Sequence, residues 1–97
     1  MTTEAENDLK SIFRYITNVL MEPIIAKKIY STISKKIFAL EYMAKRHKIV
    51  SVLSYQSHGV RRFIVGNYSI FYTVYEKSGN VLVLRILHNR RKWKEIL

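Results

Sequence analysis

The spacing of apolar residues changes once along this 97-residue chain. In the first half they recur three and four positions apart; in the second half they alternate or run together. Over residues 3–20, Leu9, Ile12, Phe13, Ile16 and Leu20 make one stripe and predict a helix. Thr3 and Glu6 have the spacing of a capping box, in which each side chain satisfies the other's backbone N–H. Glu4, Glu6 and Asp8 sit where the helix dipole favours anions. Pro23 has the fixed φ of a first helical turn, and it opens a second helix that runs to about Arg46. Ala26, Ile29, Tyr30, Ile33, Ile37, Leu40 and Ala44 keep the helical spacing there. The link between the helices is short enough to predict an antiparallel hairpin. Lys27, Lys28, Lys35 and Lys36 fall mostly outside the apolar stripe, and Lys45, Arg46 and Lys48 gather near the helix end.

After Lys48 the pattern becomes that of strands. Residues 49–55, "IVSVLSY", read as a short strand or a loop. Residues 60–65, 68–75 and 81–87 are rich in β-branched and aromatic side chains and read clearly as strands. Gly66-Asn67 separates the first pair by two residues, a tight hairpin signal, and "KSGN" at 77–80 turns the second. In the last strand, strict alternation puts Leu82, Leu84 and Ile86 on one face and Val81, Val83, Arg85 and Leu87 on the other. Both faces are apolar, which predicts a central strand. The segment "RRKWKEIL" closes the chain as a short helix with Trp93, Ile96 and Leu97 on one side. The fold class is therefore α+β. An N-terminal antiparallel helical hairpin packs on a three- to four-stranded antiparallel meander, and a short C-terminal helix follows, all in one domain over residues 1–97.

Composition adds one strong constraint. Seventeen Lys and Arg face seven Asp and Glu, a formal charge of +10. So basic a domain suits a polyanionic or acidic partner: nucleic acid, an anionic surface, or an acidic protein. There is no cysteine, which excludes disulfides, thiolate metal sites and a cysteine nucleophile. The acidic N-terminus lacks the features of a secretory signal, and no apolar run approaches the roughly 20 residues that span a bilayer. The cytoplasm is the expected location, with no membrane partner. His47 and His58 have no ligand-spaced companions, so neither a metal nor another cofactor is expected.

Three segments in this order, "TEAENDLKSIFRYI", "VGNYSIFYTV" and "LVLRILHNRRKW", resemble the RelE/ParE superfamily of bacterial type II toxins. The resemblance spans essentially the whole chain. It implies a compact α+β toxin and a cognate antitoxin whose acidic, amphipathic segment would suit the basic surface. Two features depart from the family pattern. Family members usually begin with a β-strand that joins the sheet, whereas this chain starts almost at the helix cap. Either the start has been lost, the favoured reading, or the sheet keeps an uncovered edge. The mRNA-cleaving branch also carries arginine after the tyrosine that opens the middle strand; here "YSIFY" places Ser69 there. The helical N-terminus and the ending "ILHNRR" look closer to the ParE branch. That likeness implies a toxin that binds and poisons DNA gyrase. The alternative is a ribosome-dependent mRNA endoribonuclease, and a second is a plain basic nucleic-acid-binding module.

The candidate residues follow from those readings. In the ribonuclease reading His88, Arg90, Arg91 and Arg85 would be catalytic, without a metal. Histidine exchanges protons near neutral pH, and the arginine fork binds phosphate oxygens bidentately. The same cluster also reads as a basic strand end whose histidine only hydrogen-bonds. For binding a target or nucleic acid the candidates are Arg61, Arg62, Arg85, Arg90, Arg91, Lys92 and Trp93. Arg61 and Arg62 are adjacent in a strand and so face opposite ways, one of them able to join Arg85 and Arg90–Arg91 in a patch. Tyr68, Phe71, Tyr72 and Tyr75 could stack on bases, though such rings more often fill a core. Trp93 is expected to pack back on the sheet, with docking to a partner as the alternative.

Overall fold

The computed structural model describes residues 1–46, 54–55, 59–75 and 78–97. Two helices, α1 (Thr3–Arg14) and α2 (Pro23–Arg46), precede the strands β1 (Ser54–Tyr55), β2 (Val60–Val65), β3 (Tyr68–Val74) and β4 (Val81–His88). A final turn of helix, α3 (Trp93–Ile96), ends the chain. His47, His58, Lys48, Lys77 and most of the 49–55 segment lie outside the described residues.

The N-cap of α1 is Thr2, not Thr3: its Oγ1 accepts from the Ala5 N–H at 3.1 Å. The cap moves by one residue because Thr2 is also held to the sheet. Its N–H donates to the Val83 carbonyl (3.0 Å) and its hydroxyl to the Leu84 carbonyl (2.7 Å). The expected continuous helix over 3–20 changes pitch at Tyr15, where Tyr15–Val19 widen into a π-helical turn. The segment ends at Met21 with φ +56°, left-handed backbone that costs a non-glycine residue about 1 kcal/mol. The Glu22 N–H bonds back to the Ile16 carbonyl and closes the turn into α2. Phe13 on α1 meets Tyr30 on α2 edge-to-face at 5.9 Å, so the two helices pack as the expected hairpin.

The sheet is antiparallel in the order β1-β2-β3-β4. Val65 pairs with Tyr68 across the two-residue Gly66-Asn67 loop. Gly66 has φ +60°, a positive value at the first loop position, where tight hairpins favour glycine. One face of the sheet carries Phe63, Val65, Ile70, Tyr72, Val83 and Ile86 against Ala5, Leu9, Ile33, Ile37 and Leu40 of the helices.

β4 is at the edge of this sheet and not central, pairing with β3 alone. Its faces also do not alternate as expected. Phe71 pairs with Arg85 and Tyr72 with Val83, so Leu84 is an extra residue, a β-bulge. The bulge resets parity and turns both Val83 and Ile86 into the core. Apolar residues on both faces misled the assignment because α1, not a fifth strand, lines the outer edge of β4. No strand precedes α1 among the described residues; Thr2 alone bridges to β4 there.

Burial pushes the phenols of Tyr72 and Tyr68 above their usual value of 10.0. For Tyr72 the neighbouring Arg61 guanidinium works in the opposite direction; for Tyr68 the nearby Tyr15 adds to the rise. A raised folded-state pKa means that above pH 10 the unfolded chain releases these protons first, so stability falls as pH rises. The urea midpoint should drop as the pH rises above about 10, and Tyr72→Phe should flatten that slope. An unchanged slope in Tyr72→Phe would show that this phenol does not contribute.

Candidate functional site

The candidate residues from the C-terminal cluster fall into three environments rather than one. The first is the outer edge of β4. Asp8, nearly two turns beyond the α1 cap, faces Arg85: the Arg85 Nε and Nη2 donate to the two carboxylate oxygens at 2.7 and 2.8 Å. The Ile86 N–H donates to the same carboxylate at 3.0 Å. The hydrogen bond to Asp8 holds the Arg85 guanidinium above its ordinary pKa, with burial working against it. Asp8 thus occupies the strand edge as a neighbouring strand's carbonyl would, and Arg85 is committed to structure. Asp8 was read from the sequence only as a helix-dipole anion. Its position among Ala5, Leu9 and Ile12, a carboxylate set into the apolar stripe, was the signal of a cationic partner on the sheet.

The second environment is the face of the sheet turned away from the helices. Here the Arg62 Nε donates to the Ser69 hydroxyl at 2.8 Å, and that hydroxyl donates to the Asn89 Oδ1. Asn89 is fixed in turn: its Nδ2 donates to the Gly66 carbonyl (3.1 Å) and its N–H to the Asn67 carbonyl (2.8 Å). Ser69 is 1% exposed. Trp93 packs back on this face as expected, its ring 5.1 Å from that of the buried Phe71. The Arg62 guanidinium lies 5.2 Å from the Trp93 centroid and 6.0 Å from that of Phe71, and Lys94 lies 5.7 Å from Trp93. Arg61 faces the opposite way, beside Tyr72. Asn89 escaped the sequence reading; nothing in an asparagine between histidine and arginine marks it as the brace of a buried serine.

The third environment is a cleft of about 650 Å³ beside the end of β4. α1 and its π-helical turn contribute Asp8, Ser11, Ile12 and Tyr15; the strands contribute Tyr68 and His88; the turn beyond contributes Arg90 and Arg91. The His88 ring meets Tyr68 edge-to-face at 5.4 Å. His88 Nδ1 accepts from the Arg90 N–H at 3.0 Å, so the neutral ring carries its proton on Nε2. The ring can donate from Nε2, but the lone pair that would make it a base is already engaged. Arg90 and Arg91 are exposed, as is Lys92 at the start of α3. The predicted union of Arg61 or Arg62 with Arg85 and Arg90–Arg91 is therefore not formed as one patch: Arg62 goes to Trp93, Arg85 to Asp8, and Arg90 and Arg91 to the cleft.

Of the four stacking candidates, Phe71 and Tyr72 are buried and Tyr75 is exposed. Among the described residues no group of three or more His, Asp or Glu could hold a metal ion, and no helix is long and apolar enough to cross a membrane.

Comparison with known proteins follows the same lines. A solved structure titled "Chromosomal ParDE TA system from P. aeruginosa" superposes with a TM-score of 0.72 at 24% identity, covering 90% of this chain and 89% of that one. At that identity it shows a shared fold. No curated protein matches the chain. Residues 1–93 match the family described as "ParE toxin of type II toxin-antitoxin system, parDE". A β-meander under a helical hairpin thus carries a matching sequence over nearly its whole length, and the chain belongs to the ParE toxin family of type II toxin–antitoxin systems.

Proposed function

We propose that this ParE-family toxin arrests growth by binding and poisoning DNA gyrase in the cytoplasm, as a single domain, and that a cognate acidic antitoxin neutralises it. The observation that carries the choice of gyrase is the closed face around Ser69. A ribonuclease needs preorganised cations at the phosphate being cut, and one such contact is worth about 10²–10³ in rate. Here the equivalent position is a buried hydroxyl tied to Arg62 and Asn89, and Arg85 is neutralised by Asp8. Cations remain for binding, on Arg90, Arg91 and Lys92, with little left that is arranged for chemistry. The formal charge of +10 supports an acidic neutralising partner.

Purified toxin should inhibit gyrase supercoiling or trap its cleaved complex with DNA, and Arg90→Glu/Arg91→Glu should weaken that at least tenfold. No effect of the parent protein at stoichiometric excess overturns the reading. The cleft that joins His88, Arg90 and Arg91 is the specific observation on the side of mRNA cleavage. Toeprinting on translating ribosomes distinguishes the two: codon-specific cuts lost in His88→Ala would replace the gyrase reading with the nuclease one.

A further inference from the structure

α2 does not close fully against the first β-turn. A pocket of about 270 Å³ opens between the helix and the β2–β3 hairpin. Ile33 and Val65, both buried, line its inner part, and Ile25, Ile29 and Tyr68 line its sides. Lys28 and Thr32, one helical turn apart and both exposed, stand at its mouth. Gly66 and Asn67 border it from the hairpin. Gly66 sends no side chain into the gap, and a Cβ there would meet nothing within 4 Å. Tyr68 also lines the cleft of His88, Arg90 and Arg91, so this one residue divides two cavities with different linings.

The pocket is aliphatic inside and cationic at its mouth. No carboxylate lines it, and among the described residues Lys28 has no ion-pair partner. The lysine stem can lie along the apolar rim and leave the ammonium free to turn toward a bound anion. Thr32 adds a hydroxyl donor beside it, and Asn67 an amide. The volume holds about nine water-sized groups at roughly 30 Å³ each. That is too little for a nucleotide or a peptide segment, and it matches a single short hydrocarbon chain. We propose that the pocket binds a small anionic amphiphile, a carboxylate whose aliphatic tail of about eight carbons lies along Ile29, Ile33 and Val65 while its head meets Lys28 and Thr32.

Charge and shape select this occupant. The formal charge of +10 draws small anions toward the molecule and repels both small cations and a second copy. A bilayer offers a surface, whereas this site is a recess that only a separate molecule can enter. Once inside, the ligand touches α2 and the hairpin together, so it stabilises the folded chain by mass action. Which enzyme the toxin poisons does not enter into it.

The test titrates the full chain with octanoate. The methyl signals of Ile25, Ile29, Ile33 and Val65 should shift and saturate, and the melting temperature should rise with octanoate concentration. Butyrate should bind at least fivefold more weakly, because its tail leaves the pocket half empty. Lys28→Met, an exposed substitution that keeps the fold, should weaken octanoate at least fivefold and leave octanol unchanged. Ile25→Trp, which fills the pocket from its outer side, should abolish binding of both while melting like the unliganded parent. Shifts that stay linear with concentration, or octylammonium binding as tightly as octanoate, overturn the proposal. So does octanoate affinity that survives Lys28→Met, which would leave an apolar recess with no choice of head group. Shifts that cluster at His88, Arg90 and Arg91 and vanish in Arg90→Glu/Arg91→Glu would move the anion to the neighbouring cleft and overturn it as well.

Discussion

Replacing Asp8 by alanine is expected to cost this fold about 2–3 kcal/mol and lower its melting temperature by roughly 10–20 °C. The carboxylate accepts three hydrogen bonds, two from Arg85 and one from the Ile86 N–H. Removing it leaves a guanidinium without its anion and a strand-edge N–H without an acceptor. Breaking a fully buried pair costs about 3–5 kcal/mol. The side chains here are 25% and 13% exposed, so water softens the loss, and the lower figure follows. Against a total stability of roughly 5–10 kcal/mol for a domain this size, that is a large fraction. The variant should also aggregate more readily, because the edge of β4 loses its cover. Asp8→Asn keeps an acceptor for Ile86 but drops the charge, and should fall between parent and alanine. In a double-mutant cycle with Arg85→Ala, the double variant should lose less than the sum of the singles. Additive losses, or a shift below about 3 °C in Asp8→Ala, would mean that the pair does not hold α1 to the sheet.

This pair also marks the boundary between what the sequence displays and what it conceals. The helical hairpin, the meander, the glycine of the first β-turn and the return of Trp93 to the sheet were all legible, because each rests on local spacing or on a residue with one ordinary use. The position of β4 was not. A strand with apolar residues on both faces looks central, and neither the Leu84 bulge nor the approach of Thr2 and Asp8 to its edge leaves a periodic trace. The arginines suffered the same ambiguity. Arg62, Arg85, Arg90 and Arg91 look equivalent along the chain, and only their neighbours separate a stacked cation, an ion pair and two solvent-facing charges. Those neighbours lie far away in sequence: Asp8 for Arg85, Trp93 for Arg62. The two departures from the family pattern fared differently. Among the described residues no strand precedes α1, and the sequence left hidden that Thr2 and Asp8 satisfy the edge of β4. Ser69 was legible as a departure from the mRNA-cleaving pattern, but not as a hydroxyl buried between Arg62 and Asn89.

The sealing of Ser69 makes the other large prediction. Ser69→Arg, which writes the residue of the mRNA-cleaving branch into this position, should not create a nuclease; it should unfold the protein. The serine is 1% exposed, and its oxygen already joins Arg62 to Asn89. An arginine there adds several heavy atoms to a filled site and brings a second guanidinium against the first. Neither Ser69 nor its two partners offers an acidic group in compensation. Overpacking costs about 1–3 kcal/mol and an uncompensated buried charge several more, together roughly 3–5 kcal/mol or above. That approaches the whole stability of a small domain. Circular-dichroism melts would show it directly. One escape exists: the new guanidinium could expel Arg62 and take its place beside Trp93. The fluorescence of this single tryptophan would then shift, and Arg62→Ala would restore stability to Ser69→Arg. Even so, Arg85 stays bound to Asp8 and the lone pair of His88 Nδ1 stays engaged, so toeprinting on ribosomes should show no new cuts. A Ser69→Arg protein that melts like the parent and cleaves mRNA would overturn both the sealed-face argument and the choice of gyrase that rests on it.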